Sequence, residues 1–312
     1  MSQPLVSIAL ASYNGAKYIT QQIESIRRQT YKNIEIIVSD DMSTDGTLDI
    51  LDHLHRQGII KEVGNRQKLG VIKNFENALR YCTGSYVAFA DQDDVWLPDK
   101  IEKSLSLLVQ LEQEHGKNTP ALVYTDATVV DDQLNVISTS YLGTKKLNPS
   151  QVKLRHLIVE NVPTGCTMLM NRALANKISE IPSKVTMHDV FTALTASCFG
   201  KMAYLDEPTL LYRQHAQNVY GLAKKSLWAS LLTTVHVLFD HTAKSQFLAK
   251  EMAQAEAFYT HFQHALSSEE RELLLGFTHL TDKGKIGRMY FLLKHKIVKG
   301  YWPRTLNLLL KV

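Results

Sequence analysis

The stretch "GSYVAFADQDDVWLPDK", Gly84 to Lys100, decides how the rest of the chain reads. Its first half is apolar and β-branched enough for a buried strand. It then runs straight into Asp91, Asp93 and Asp94, with Asp99 close behind. Carboxylates so near one another repel unless something cationic neutralises them. Two of them one residue apart at a strand terminus can share a hard cation, and Mg2+ characteristically takes one or two carboxylates plus substrate phosphate oxygens. Taken alone, the same string also reads as a solvated turn in which Asp94 or Asp99 caps the next helix.

The surroundings favour a site. "PLVSIALA", "NIEIIVS" and "GIIKEV" read as strands, and "GAKYITQQIESIRRQ", "GTLDILDHLHRQ" and "VIKNFENALRYC" as helices between them. Such alternation predicts an α/β domain with a mainly parallel central sheet flanked by helices. In open sheets of this kind ligands bind beyond the carboxyl ends of the strands. Three of those ends are polar: "SYNG" after the first strand, "DDMSTDGT" after the second and "DQDD" after the fourth. They predict one composite site.

From about Ala121 the pattern loosens. "ALVYTDATVVDDQLNVIS" reads as strands about a turn at Asp131-Asp132, and "MHDVFTALTASCFG" as a helix stopped by Gly200. Beyond Gly221 amphipathic helices dominate. The expected division is therefore a catalytic domain over residues 1–220 and a helical, basic extension over 221–312.

Two other readings of the acidic strings compete. "DQDDV" fits the D-x-D-x-[TV] nucleophile motif of haloacid-dehalogenase-type phosphatases, but that motif normally follows the first strand. "DDMSTDGTLDILD" places oxygens at EF-hand spacing, yet a strand precedes it where an EF-hand needs a helix. A non-catalytic module binding phosphate or a cation is a third alternative.

The first two strand ends suit a nucleotide. "ASYNG" offers backbone groups, the small Ala11 and a tyrosine ring for a base to pack on, and Asp41 can accept from the imide N–H of uracil or thymine. Lys73 and Asn74 open a helix able to carry a cation toward a diphosphate.

With these motifs in order, the sequence resembles the family 2 glycosyltransferases of GT-A fold. The likeness rests on "VSIALASYNGAKYITQQIESIRRQTYKNIEIIVSDDMSTDGT" and "FADQDDVWLPDKI". "MHDVFTALTASCFGKMAYLDEPTLLYRQHAQNVYG" is similar to the branch holding bacterial surface-polysaccharide rhamnosyltransferases. The resemblance covers roughly residues 4 to 221. It implies a nucleoside pocket at Ala11, Tyr13, Asn14 and Asp41, with Lys73 on the diphosphate side. It places the D-x-D at Asp91 and Asp93, with Gln92 in the donor set and Asp93 as the more direct metal ligand. The catalytic base of inverting members falls on Asp189, and His188 beside it faces the acceptor. Arg213 and His215 fall in the segment that closes over diphosphate and metal, the latter as a metal ligand. The implied cofactor is Mn2+ or Mg2+. The implied donor is dTDP-L-rhamnose, with UDP-glucose, UDP-galactose or UDP-N-acetylhexosamine as alternatives. The implied acceptor is a saccharide, lipid-linked, in lipopolysaccharide or O-antigen synthesis.

Composition limits the rest. Hydrophobic residues at 45% and charged ones at 21% are values of a globular chain. Three cysteines without metal or disulfide spacing, no signal peptide and no apolar run of membrane-spanning length lead to a cytoplasmic expectation. The net charge of +4 hides an asymmetry, because Lys283–Val312 contains eight Lys and Arg and no acid. That tail is expected either to touch an anionic membrane surface or to pack with a solvated basic face. No nucleic-acid recognition module is evident.

Overall fold

The computed structural model describes residues 3–65, 67–215 and 248–312. Four parallel strands begin the sheet: β1 (Val6–Ser12), β2 (Ile34–Asp40), β3 (Lys61–Val63) and β4 (Tyr86–Asp91), in the order β3-β2-β1-β4. β1 is buried at all seven positions, as a central strand covered on both faces must be. The helices α1 (Ile19–Arg27), α2 (Thr47–Arg56) and α3 (Val71–Arg80) return the chain between these strands. Ile19, Ile23 and Ile26 of α1 share the core cluster with Val6, Ile8 and Leu10, while Phe75 of α3 meets Phe89 of β4 edge-on at 5.4 Å.

Beyond β4 the sheet becomes mixed. The remaining strands are β5 (Val95–Trp96), β6 (Ala121–Val130), β7 (Val136–Ser138), β8 (Leu169–Asn171) and β9 (Lys201–Arg213). β8 runs antiparallel to both β4 and β6, whereas β9 runs parallel to β6 and antiparallel to β5. The β6–β9 register shifts on both sides of Asp126, whose partner is Pro208. Proline cannot donate to a ladder, so an irregularity is where it is tolerated in a sheet. Helices α4 (Lys100–His115), α5 (Tyr141–Lys145), α7 (Arg172–Lys177) and α8 (His188–Phe199) fill this half, while α6 (Leu154–Leu157) belongs to a second compact unit. Gly200 ends α8 as expected, because a Cβ there would stand 2.0 Å from the Pro120 carbonyl oxygen.

The chain resolves into two compact units. The first comprises Met1–Lys145, Pro163–Ile181 and Met187–Gln214, and the second Lys146–Val162, Pro182–Thr186 and His215–Val312. The boundary expected at 220/221 lies outside the described residues. In the second unit the helices are α9 (Ala249–Phe262), α10 (Ser268–Thr278), α11 (Lys285–Lys294) and α12 (Trp302–Lys311). Ser267 and Glu270 form a reciprocal capping box at the start of α10. Within that unit Glu160 accepts from Gly300 N at 2.7 Å and from Arg304 at 2.9 Å, which ties residues 146–162 to the last helix.

Candidate active site

The parallel strands bring their polar ends level. Ala11 of β1 pairs with Ser39 of β2 and with Asp91 of β4, and Ser12 pairs with Asp40. The loops beyond them are stitched together by side chains. Asp40 accepts from Ser12 Oγ, Ser43 N and Ser43 Oγ, each at 2.7 Å. Asn14 adopts a left-handed backbone at φ 48° and accepts from Thr44 N, while its own N–H reaches Ser43 Oγ at 2.7 Å. Asparagine tolerates that conformation better than most residues.

Tyr13 stands exposed beside this loop with Lys68 Nζ 3.8 Å from its ring centroid. Its backbone is clasped by Gln92: Tyr13 N donates to Gln92 Oε1, and Gln92 Nε2 donates to Tyr13 O, both at 2.9 Å. A Cβ on Gly15 would fall 2.2 Å from that Oε1, so only glycine leaves room for the clasp. Gln92 therefore joins the loop after β1 to the acidic motif. Asp41 is buried and accepts from the backbone of Leu69 and Gly70, fixing the loop that leads into α3.

Among the acids, Asp91 and Asp94 meet the thiol of Cys166, with one ligand atom from each lying within 4.8 Å of the others. Burial first, then the carboxylates of Asp93 and Asp189, pushes Asp91 up to about 7. Burial followed by Asp93 and Asp91 holds Asp94 well above the carboxylate range. One oxygen of Asp94 has no hydrogen-bond partner among the described residues although the residue is 1% exposed. Asp94 thus caps no helix; it is part of the acid centre. Behind it lies Lys100, itself buried, with its ammonium 4.9 Å from the Trp96 ring and burial pulling it down to about 8. The string "DVWLPDK" therefore supplies a buried base as well as the acids.

Arg213, expected over the diphosphate, is 2% exposed and holds the acidic loop from behind. Its Nε donates to Asp93 O at 2.8 Å, its Nη1 to Asp132 O and its Nη2 to Gln21, while its backbone N–H meets Asp94 Oδ1. Lys73 turns to Glu76 and to the carbonyl of Ile181 at 2.7 Å. Asp93 is half-buried. His215 belongs to the second unit.

Asp189 opens α8 and faces the same acids. Its oxygens accept from Val190 N at 2.7 Å and Gly165 N at 3.2 Å, and burial raises it to about 6 against those two donors. His188 stacks on Phe75 at 3.7 Å and meets Phe89 edge-on. Burial drives it down to about 3, so it stays neutral, and neither ring nitrogen has a hydrogen-bond partner among the described residues. The sequence does not mark Cys166 and Lys100 as neighbours of the acids, since neither sits in a metal or nucleophile spacing. Both are placed by the β4–β8 and β5–β9 pairings.

The phosphatase arrangement is not what the fold presents: β1 ends in Ser12, and the acidic motif follows β4. The EF-hand alternative fails on β2, a strand directly ahead of Asp41. A sheet parallel through four strands and mixed thereafter, with acids at the fourth strand end, defines the GT-A class of transferase. The chain belongs to glycosyl transferase family 2, whose profile, described as "Glycosyl transferase family 2", matches residues 7–177. It is 30% identical over 181 residues to the UDP-Glc:alpha-D-GlcNAc-diphosphoundecaprenol beta-1,3-glucosyltransferase WfgD of Escherichia coli, covering 57% of this chain and 65% of that one. It is 30% identical over 229 residues to the dTDP-rhamnosyl transferase RfbG of Shigella flexneri, covering 68% and 73%. Among solved structures it resembles Staphylococcus aureus TarS residues 1–349, with TM-score 0.55, 18% identity and coverage of 94% and 88%. The mannosyltransferase PcManGT of Pyrobaculum calidifontis, solved with GDP-Man and Mn2+, gives TM-score 0.55 at 17% identity, covering 95% and 74%. Among the described residues no helix is long and apolar enough to cross a membrane.

Proposed function

We propose that this protein transfers a sugar from a nucleoside-diphosphate donor to a saccharide hydroxyl in one inverting displacement during bacterial surface-polysaccharide synthesis. The observation that carries this reading is Asp189, a half-buried carboxylate held by two backbone donors close enough to the strand-end acids to raise Asp91. The Tyr13–Asn14 loop and Asp41 bind the nucleoside, and Gln92 and Asp91 orient the donor. Asp189 takes the acceptor's proton as its oxygen bonds to the anomeric carbon. The bond from that carbon to the phosphate oxygen breaks on the far face, and the nucleoside diphosphate departs with the electron pair. No enzyme nucleophile is needed, so the anomeric configuration inverts.

The acids fit a divalent cation on chemical grounds. Clustered carboxylates, one with a buried and unpartnered oxygen, suit a hard ion, whereas the Cys166 thiol is softer than Mg2+ or Mn2+ prefers. Asp93 and Asp91 would hold it, and when bound it supplies charge stabilisation to the departing diphosphate. The donor reading favours dTDP-L-rhamnose, supported by the name of the Shigella relative. UDP-glucose, UDP-galactose and UDP-N-acetylhexosamine follow, supported by the E. coli relative and by TarS having been solved with UDP-GlcNAc. The acceptor is a lipid-linked saccharide by the same reasoning.

The deciding experiment is a nucleotide-sugar panel read by thermal shift with Mn2+, then by transfer onto lipid-linked acceptors. Transfer should fall by about 10²-fold or more in Asp93→Asn and in Asp189→Asn. A phosphorylated Asp91, or full transfer by Asp189→Asn, would sink the reading.

A further inference from the structure

Nearly half of the large apolar side chains exposed among the described residues fall between Ile286 and Leu310. They are arranged in two stripes. On α11, Ile286, Tyr290 and Leu293 recur at i, i+4 and i+7 and are 84%, 66% and 57% exposed. On α12, Trp302, Leu306 and Leu310 recur at i, i+4 and i+8, with Trp302 71% exposed. Each helix already buries another face, Phe291 and Leu292 on α11 and Leu308 on α12. A helix packed on a soluble body normally turns polar residues outward. These two turn apolar ones outward.

Charge says what would cover them. The segment Lys283–Val312 contains eight basic residues and no acid. Lys294 and Arg304 pair with Glu272 and Glu160, but Lys283, Lys285, Lys296 and Lys299 have no ion-pair partner among the described residues. Exposed Trp and Tyr among lysines and aliphatic side chains suit the headgroup layer of a bilayer, where an aromatic ring has an apolar body and a polar edge to satisfy. Basic residues beside such a stripe draw it to anionic lipid. A second copy of this chain fits less well, since two such surfaces facing each other would oppose like charges.

We propose that the exposed stripes of α11 and α12 form a docking surface for an anionic phospholipid bilayer. The surface is independent of the transferase reading and can be tested without donor or acceptor. Full-length protein is floated with phosphatidylcholine vesicles, with and without phosphatidylglycerol. Wild type should float only with the anionic vesicles, and added salt should weaken it. Ile286→Glu with Trp302→Glu should lower partitioning by about tenfold or more, since both apolar insertion and charge attraction suffer. The melting temperature should not move, because both side chains lie outside the core. Lys285→Glu with Lys299→Glu should give a comparable loss. Undiminished flotation of the Ile286/Trp302 variant would overturn the proposal, as would self-association without lipid that the same variant abolishes. Equal retention of wild type on duplex DNA, lost in that variant, would overturn it too.

Discussion

At the scale of single residues, the proposed role of Asp189 as base makes it set the acid side of the pH profile. Burial raises it to about 6, so below that pH the group is protonated and cannot accept the acceptor's proton. The expected kcat/KM therefore falls as pH drops through about 6, measured with saturating divalent ion. Asp189→Asn should flatten this limb and lower kcat by about 10²–10⁴-fold while leaving donor-induced thermal shift in place. Gln92 acts differently, because it touches backbone. Gln92→Ala removes both hydrogen bonds to Tyr13 and should raise donor KM more than it lowers kcat, with a binding loss of about 0.5–1.5 kcal/mol because both bonds are solvent-exposed. Asp189 was legible in sequence as an acid opening an apolar helical run. The clasp was not, because its partners stand 79 residues apart and an amide in a turn looks like any surface polar group. For Lys73 the cation is legible in sequence, whereas its contact with the Ile181 carbonyl, 108 residues on, is not.

Among the elements, the first four strands were readable from alternation because each βα unit buries a local apolar pattern. The second half was harder. β8 has three residues and β5 two, too few for any periodicity, and both are fixed by pairing with distant strands. Arg213 shows what that hides. At the end of β9 it reaches Asp93 O, Asp132 O and Gln21, so the strand's terminus braces the acidic loop. Lysine retains the charge but not the planar fork of donors. Arg213→Lys is expected to cost about 1–3 kcal/mol in unfolding free energy, read by denaturant titration, and to weaken metal-dependent donor binding alongside.

For the whole molecule, the buried acids give a directional stability profile. Asp91 and Asp189 rise to about 7 and about 6, and Asp94 rises further, so the folded chain holds more protons than the unfolded one above the usual carboxylate range. Stability from these groups is complete near pH 4 and is lost as pH climbs through the folded values. His188 works the other way, since burial lowers it to about 3 and its contribution fades as pH falls below 6.5. His156 and His295 are lowered by burial too and act with His188, so the acids prevail above about pH 6.5, where unfolded histidines are neutral. In chelator, the melting temperature should decline from about pH 6.5 to about pH 7.5, and Mn2+ should raise it more at the upper end. The same architecture has an energetic corollary in the clasp between Gln92 and Tyr13. Because one amide spans the turn proposed to bind the base and the motif proposed to bind the ion, ordering either end pre-organises the other. By thermodynamic reciprocity, whatever factor Mn2+ adds to nucleotide affinity must equal the factor nucleotide adds to Mn2+ affinity. Cutting the amide should shrink both factors together.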